Sequence, residues 1–155
     1  MSEFERPVCL PVLALRGLCV FPKMLTHFDV GRKSSMAAVE EALREDQQIF
    51  LVTQKDVETD HPKRNDLYTV GTVSIVKQVL RLPGENMRIL VEGQYRAELL
   101  DIVQSEPYLF GRMQKLEELP YNHSLPRVEA LLRQAHSQFE QFAELSGRNM
   151  QEALL

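Results

Sequence analysis

The residues of this 155-residue sequence with the types and spacing to do chemistry are few. Gly31-Arg32-Lys33-Ser34 looks superficially like a phosphate-binding loop, in which Gly, four residues and Gly-Lys-Ser/Thr surround a phosphate with backbone amides and a lysine. Thr26 stands where the first glycine belongs and Arg32 where the lysine belongs, so no nucleotide is expected. His27, His61, His123 and His136 lie far apart, without an HExxH or paired His/Cys spacing, and imply no zinc site. Asp56, Glu58 and Asp60 alternate like the start of a calcium loop, but His61 replaces its glycine and Leu67 its closing glutamate, so the stretch reads as a solvated acidic loop. No GxSxG elbow surrounds any serine. Glu92 beside Gly93 has the type of a catalytic carboxylate, yet a polar residue ending a strand is the commoner reason for that pair. The residues point to a protein-interaction domain without catalytic machinery, metal or cofactor.

Composition bounds the partners. Apolar residues make up 44% and charged residues 26% of the chain, proportions that build a packed core. A net charge of -4 and a pI near 5.6 oppose nucleic-acid binding, which needs clustered Lys and Arg. No stretch approaches the ~20 apolar residues of a membrane span, and the first residues lack the pattern of a signal peptide. We therefore expect a cytoplasmic protein with no membrane partner. Cys9 and Cys19 lie in apolar segments and are expected to be buried free thiols.

The elements that would position any site are β in the first part of the chain. Val8 to Leu15 reads as an edge or first strand under its two prolines, Leu18 to Phe21 as a short apolar run stopped by Pro22, and Thr26 to Val30 as a strand ended by Gly31. Met36, Val39, Ala42 and Leu43 at helical spacing predict an amphipathic helix from about Ser34 to Asp46, with Ser34 or Ser35 as its cap. Ile49 to Thr53 returns to a buried strand, and 54–66 is a charged loop. Gly71 to Leu82 and Asn86 to Gly93 form a hairpin around Pro83-Gly84, followed by strands over Tyr95 to Val103 and Tyr108 to Leu116. After Pro120, Leu125, Val128, Leu131, Leu132, Ala135, Phe139 and Phe142 repeat at three and four, predicting a helix of about five turns that ends before Gly147. The fold class is α+β: a β domain over 7–119 with one packed helix, then a helical segment over 120–155. Asn149 would cap a further helix, and the sequence stops one turn later, as a fragment cut from a longer protein would.

In order and spacing, Leu10-Pro11-Val12-Leu13-Ala14-Leu15-Arg16, Phe21-Pro22-Lys23-Met24, Val30-Gly31-Arg32, Gly71-Thr72-Val73 and Leu90-Val91-Glu92-Gly93 with Arg96-Ala97 resemble the N-terminal domain of Lon ATP-dependent proteases. The resemblance covers nearly the whole chain. It implies a small twisted β-barrel-like domain of the PUA-like kind with one helix packed on it, and a helical segment leading toward an ATPase ring. ATP, Mg and the Ser-Lys peptidase dyad would belong to domains this chain does not contain, so no catalytic residue carries over. Gly71 and Gly93 we read as structural, permitting turns or bulges where the barrel bends.

What the resemblance implies for function is capture of unfolded or degron-bearing proteins and organisation of an oligomer, hexameric in the parent family. Such capture needs exposed apolar patches and adaptable side chains. The expected substrate contacts are Met24 and Leu25, then Arg32, Lys33 and Met36 at the helix start, and Leu80, Leu82 and Met87 around the hairpin. The stripe Val128, Leu131, Leu132, Phe139 and Phe142 is the expected oligomer or partner contact, and the isolated fragment is expected to form a weak or strand-exchanged dimer. Two other readings compete: a stand-alone LON-domain protein binding a small ligand or peptide, and RNA binding through a PUA-like surface, which the acidic balance opposes.

Overall fold

Val12 to Leu15 and Ile49 to Val52 are apolar without alternation, the pattern of strands covered on both faces, and in the computed structural model all eight of these residues are buried. The structure describes residues 6–120, 122 and 124–147, so the residues around Asn149 lie outside it. The chain forms two units, 1–117 and 118–155. The first contains β1 (Val8–Leu15), β2 (Leu25–Val30), α1 (Lys33–Arg44), β3 (Gln48–Thr53), β4 (Val70–Leu82), β5 (Asn86–Gln104) and β6 (Phe110–Lys115); the second contains α2 (Pro126–Ser146).

The six strands form one twisted sheet in the order β2-β5-β4-β3-β1-β6, and a further pairing of β5 with β6 curls it round. β1 and β3 run parallel, an arrangement that needs a crossover, here supplied by β2 and α1. Alternation along these strands divides the core. Leu13, Leu15, Ile49 and Leu51 pack with Val39 and Ala42 of α1 and with Met87, Ile89 and Val91 of β5. Val12, Ala14, Phe50 and Val52 pack on the other face with Val73, Leu99 and Met113. The α+β class and twisted β domain with a packed helix are as expected; the sheet curls without forming a closed barrel.

Three local expectations need correction. β5 is one strand of 19 residues where two were expected. Gly93 does not end it: Val73 pairs with Tyr95 and Ser74 with Gly93, so the register shifts by a bulge and the strand continues. α1 ends at Arg44 rather than Asp46, and no serine caps it: Arg32 holds the cap position, with no side-chain bond to the helix amides. Finally, Cys9 and Cys19 are both exposed: Cys9 lies in the exposed start of β1, before the strand enters the core at Pro11, and Cys19 lies between the half-buried Leu18 and the buried Val20. The hairpin turn is as its residues demand, with Gly84 at φ 85°. α2 stops where Gly147 adopts the left-handed conformation, at φ 65°.

Candidate functional site

The residues proposed from sequence as substrate contacts fall in three places, and strand register decides which. Leu25 pairs across β2–β5 with Glu92 and His27 with Leu90; Gln78 pairs across β4–β5 with Leu90 and Leu80 with Arg88. Cross-strand partners share a face, and diagonal neighbours lie roughly 7–8 Å apart, within reach of long side chains. Leu25, Leu90 and Leu80 thus form a diagonal apolar stripe on the face of the sheet opposite α1. Leu25 is 62% and Leu80 54% exposed, and Leu90 is half-buried. Ion pairs flank the stripe: Arg88 donates to both carboxylate oxygens of Asp29, at 2.6 and 3.0 Å, and Lys77 lies 2.5 Å from Glu92. The Arg88 hydrogen bond holds the Asp29 carboxyl below the usual carboxylate range.

Phe21, 61% exposed, stands at the head of the loop that leads into β2. That loop is clamped to β5: Lys23 N–H donates to the Gly93 carbonyl at 2.8 Å and Gly93 N–H to the Met24 carbonyl at 2.9 Å. Sequence reasoning missed Phe21 because an aromatic before proline reads equally well as core. Met24, by contrast, is half-buried against the core beneath α1.

The second place is a groove of about 380 Å³ between α1 and the hairpin tip. Lys33 and Met36 line it from the helix, Leu82 and Met87 from the hairpin, and an Arg81–Glu40 ion pair of 2.9 Å joins its walls. Four of the expected residues therefore meet here. Met87 is 2% exposed and belongs to the core, so the accessible floor is the half-buried Met36.

Arg32 belongs to neither surface. Its guanidinium donates to the Ala14 carbonyl, to Gln54 Oε1 at 3.0 Å and to the Asp60 carbonyl at 3.4 Å. Gln54, itself 2% exposed, donates onward to the carbonyls of Asp56 and Thr59. Arg32 thereby fastens the loop after β3 to β1. Burial, then the neighbouring Arg16 charge, push its pKa below the ordinary value, against the opposing pull of Asp60. It borders a cleft of about 350 Å³ between β1, the end of β2 and the start of α1.

The acidic loop is held by turn chemistry. Asp56 Oδ1 accepts from the Glu58 amide at 3.0 Å, and Asp60 accepts from Arg16 at 2.7 Å. Among the described residues no three His, Cys, Asp or Glu side chains gather as a metal site, and no helix is long and apolar enough to cross a membrane. Along α2, Leu131, Leu132 and Phe142 are exposed, while Val128 and Phe139 are half-buried.

Residues 9–155 match the family model described as the ATP-dependent protease La (LON) substrate-binding domain. The chain is 44% identical over 137 residues to the Lon protease of Syntrophomonas wolfei and 45% identical over 137 residues to that of Heliobacterium modesticaldum, covering 88% of this chain in each case. It is 39% identical over 145 residues to Lon protease 1 of Bacillus subtilis. It spans only 17% of the length of the first two and 18% of the third. In fold it is similar to the N-terminal domain of the Mycobacterium avium complex Lon protease, with TM-score 0.67 and 18% identity over 90% of this chain and 70% of that one. The Lon N-terminal domain protein of Xanthomonas campestris gives TM-score 0.63 at 13% identity, over 84% of this chain and 72% of that one.

Proposed function

The chain belongs to the LON substrate-binding domain family, and from that membership we propose that it captures unfolded or degron-bearing polypeptides for an ATP-dependent Ser-Lys protease whose catalytic domains lie elsewhere in the parent protein. The relatives above are Lon proteases, which supports this reading over a stand-alone ligand-binding protein. The observation that carries it is the Leu25–Leu90–Leu80 stripe: apolar side chains exposed together, between ion pairs that keep the rim polar. An unfolded chain exposes apolar side chains that a folded protein buries, and docking them on the stripe removes both surfaces from water.

The groove beneath the hairpin tip adds a second foothold. Met36 on its floor is unbranched and polarizable, able to fit side chains of differing shape. Lys33 beside it supplies a solvated positive charge. In this reading Leu25 and Leu80 carry recognition, and Lys33, Met36 and Leu82 extend it.

The exposed stripe of α2, with Leu131, Leu132 and Phe142, supports a second role in self-association, toward the hexamer of the parent enzyme. A cytoplasmic site of action goes with both roles.

The test is the affinity of this chain for a reduced, carboxymethylated protein against the same protein folded. Preferential binding of the unfolded form, lost when Leu25 and Leu80 are both changed to Asp, is the expected result. Equal affinity for both forms would overturn the capture reading.

A further inference from the structure

β2 is an edge strand with none of the usual guards. It ends the sheet with β5 as its one neighbour, whereas the other end is covered by the pairing of β6 with both β1 and β5. β4 beyond Val76 also lacks a second neighbour, but a bulge there displaces Lys77, and Arg81 follows. Bulges, charges and prolines are the devices that discourage pairing at an edge. In β2 the six residues Leu25 to Val30 pair with β5 in unbroken register and include neither proline nor lysine. Its one formal charge, Asp29, is cancelled by Arg88.

The ladder decides which backbone groups this edge offers. Gly93 N–H donates to the Met24 carbonyl at 2.9 Å, and bonded pairs recur at every second residue of an antiparallel ladder. Thr26, Phe28 and Val30 therefore turn their N–H and C=O toward β5. Leu25, His27 and Asp29 turn theirs outward, where no strand meets them. Beside the far half of this edge lies the cleft of about 350 Å³, lined by residues 13–16 at the end of β1 and residues 28–30 of β2. Consecutive residues of a strand point to opposite faces, so a space touched by such runs lies along the two edges rather than over a face. Arg32 closes the β1 side by bonding the Ala14 carbonyl. The β2 side is left open, with Leu18 and Phe28 as its apolar wall.

We propose that the outer edge of β2 receives an extended segment of an unfolded polypeptide as an added strand. Three outward residues, each offering a donor and an acceptor about 7 Å apart along the strand, match the backbone of an extended chain and no other partner chemistry. With Asp29 neutralised by Arg88, the edge carries no net charge to select for or against a charged segment. Side chains of the added strand alternate. One set continues the exposed Leu25 stripe on the open face, and the other enters the cleft against Leu18 and Phe28. The backbone bonds act without regard to sequence, while the two apolar flanks favour segments that a folded protein would bury. The inference rests on the reading that the chain binds unfolded polypeptides, and names the backbone of the bound segment as what β2 recognises.

The experiment is amide hydrogen exchange, read by NMR on the full 155-residue chain with and without a short peptide of alternating valine and threonine between lysine ends. With the peptide saturating, the amides of Leu25, His27 and Asp29 are expected to exchange at least roughly ten-fold more slowly, and those of Thr26 and Phe28 to be unchanged. Two versions of the peptide, N-methylated on one or the other alternate set of residues, are expected to differ in affinity by at least roughly ten-fold, because only one set faces β2. His27→Pro removes an outward N–H and no bond to β5, and is expected to weaken binding as well; if its spectrum shows the fold lost, the methylated peptides decide alone. Equal affinity of the two methylated peptides, or slowed exchange without alternation, overturns the proposal. Slowed exchange of the same amides without peptide, growing with protein concentration, also overturns it and marks β2 as an interface between copies of the chain. Binding of carboxymethylated protein with no alternating protection by the peptide sinks the added strand and leaves capture on the apolar stripe standing; failure of both to bind sinks capture itself.

Discussion

Gly93 and Phe21 meet backbone against backbone: a β-carbon placed on residue 93 would lie 2.2 Å from the Phe21 carbonyl oxygen. The contact exists because the loop before β2 folds onto β5 at its bulge, with hydrogen bonds from Lys23 and to Met24 on either side. Gly93→Ala must push this loop away, since the obstructing atom is backbone rather than a yielding side-chain end. A destabilisation of about 1–3 kcal/mol or more is expected, read as a lower denaturant midpoint at unchanged slope. Because the same loop presents Phe21 and Leu25, binding of unfolded protein should weaken as well.

Arg32 and Lys33 are adjacent in sequence and separate in role, so their substitutions should diverge. Arg32→Met removes the ties to Ala14, Gln54 and Asp60 and leaves buried Gln54 short of a partner, at a cost of about 1–3 kcal/mol by urea denaturation. Lys33→Glu, on an exposed side chain, should change stability by no more than about 0.5 kcal/mol. Equal effects would contradict the assignment of Arg32 as a fastening residue.

On the open face of the sheet, Leu25→Asp with Leu80→Asp should lower affinity for carboxymethylated protein by roughly ten-fold or more, the scale of losing two apolar contacts. Stability should hardly change, since both side chains are already more than half exposed. Lost binding together with a lowered melting temperature would instead mark the leucines as structural.

The pH dependence follows from Asp29 and Asp60, whose carboxyls are held low first by hydrogen bonds from Arg88 and Arg16 respectively. A depressed folded pKa contributes stability above the unfolded value, near 3.9, and loses it as pH falls through the folded one. Denaturation midpoints measured from pH 6 down to pH 3 should therefore fall over the acid end, by a small amount that salt reduces, because both pairs are exposed. Asp29→Asn should flatten that fall.

Cys9 and Cys19 are exposed, so a thiol-specific reagent should modify both in the native state, at rates within roughly ten-fold of the denatured chain. Protection of either until unfolding would show that thiol to be covered.

Much of the architecture is readable in local pattern. The unalternating runs of β1 and β3, the 3.6-residue period of both helices and the Pro83-Gly84 turn each express a constraint acting within a few residues, and each of these elements is present, with α1 ending two residues earlier than its pattern suggested. Lys33 and Met36, named at the helix start, and Leu82 and Met87, named around the hairpin, line one groove. Phe21 was not among the expected contacts, Met87 is core and Met24 is half-buried against it, because apolarity alone does not tell a buried side chain from an exposed one.

The sequence by itself determined the kinds of element, their order and the family resemblance, since periodicity, turn residues and motif spacing are local properties. Only the tertiary structure decided what each surface residue does. Whether Leu25 and Leu80 share a face depends on the registers of β2 and β4 against β5, and a slip of one residue would send either leucine to the opposite side. Whether Arg32 is a free cation or a fastening depends on Ala14 and Gln54, 18 and 22 residues away along the chain, being brought beside it. Such non-local pairings arise from packing the whole core at once, and no window of sequence contains them.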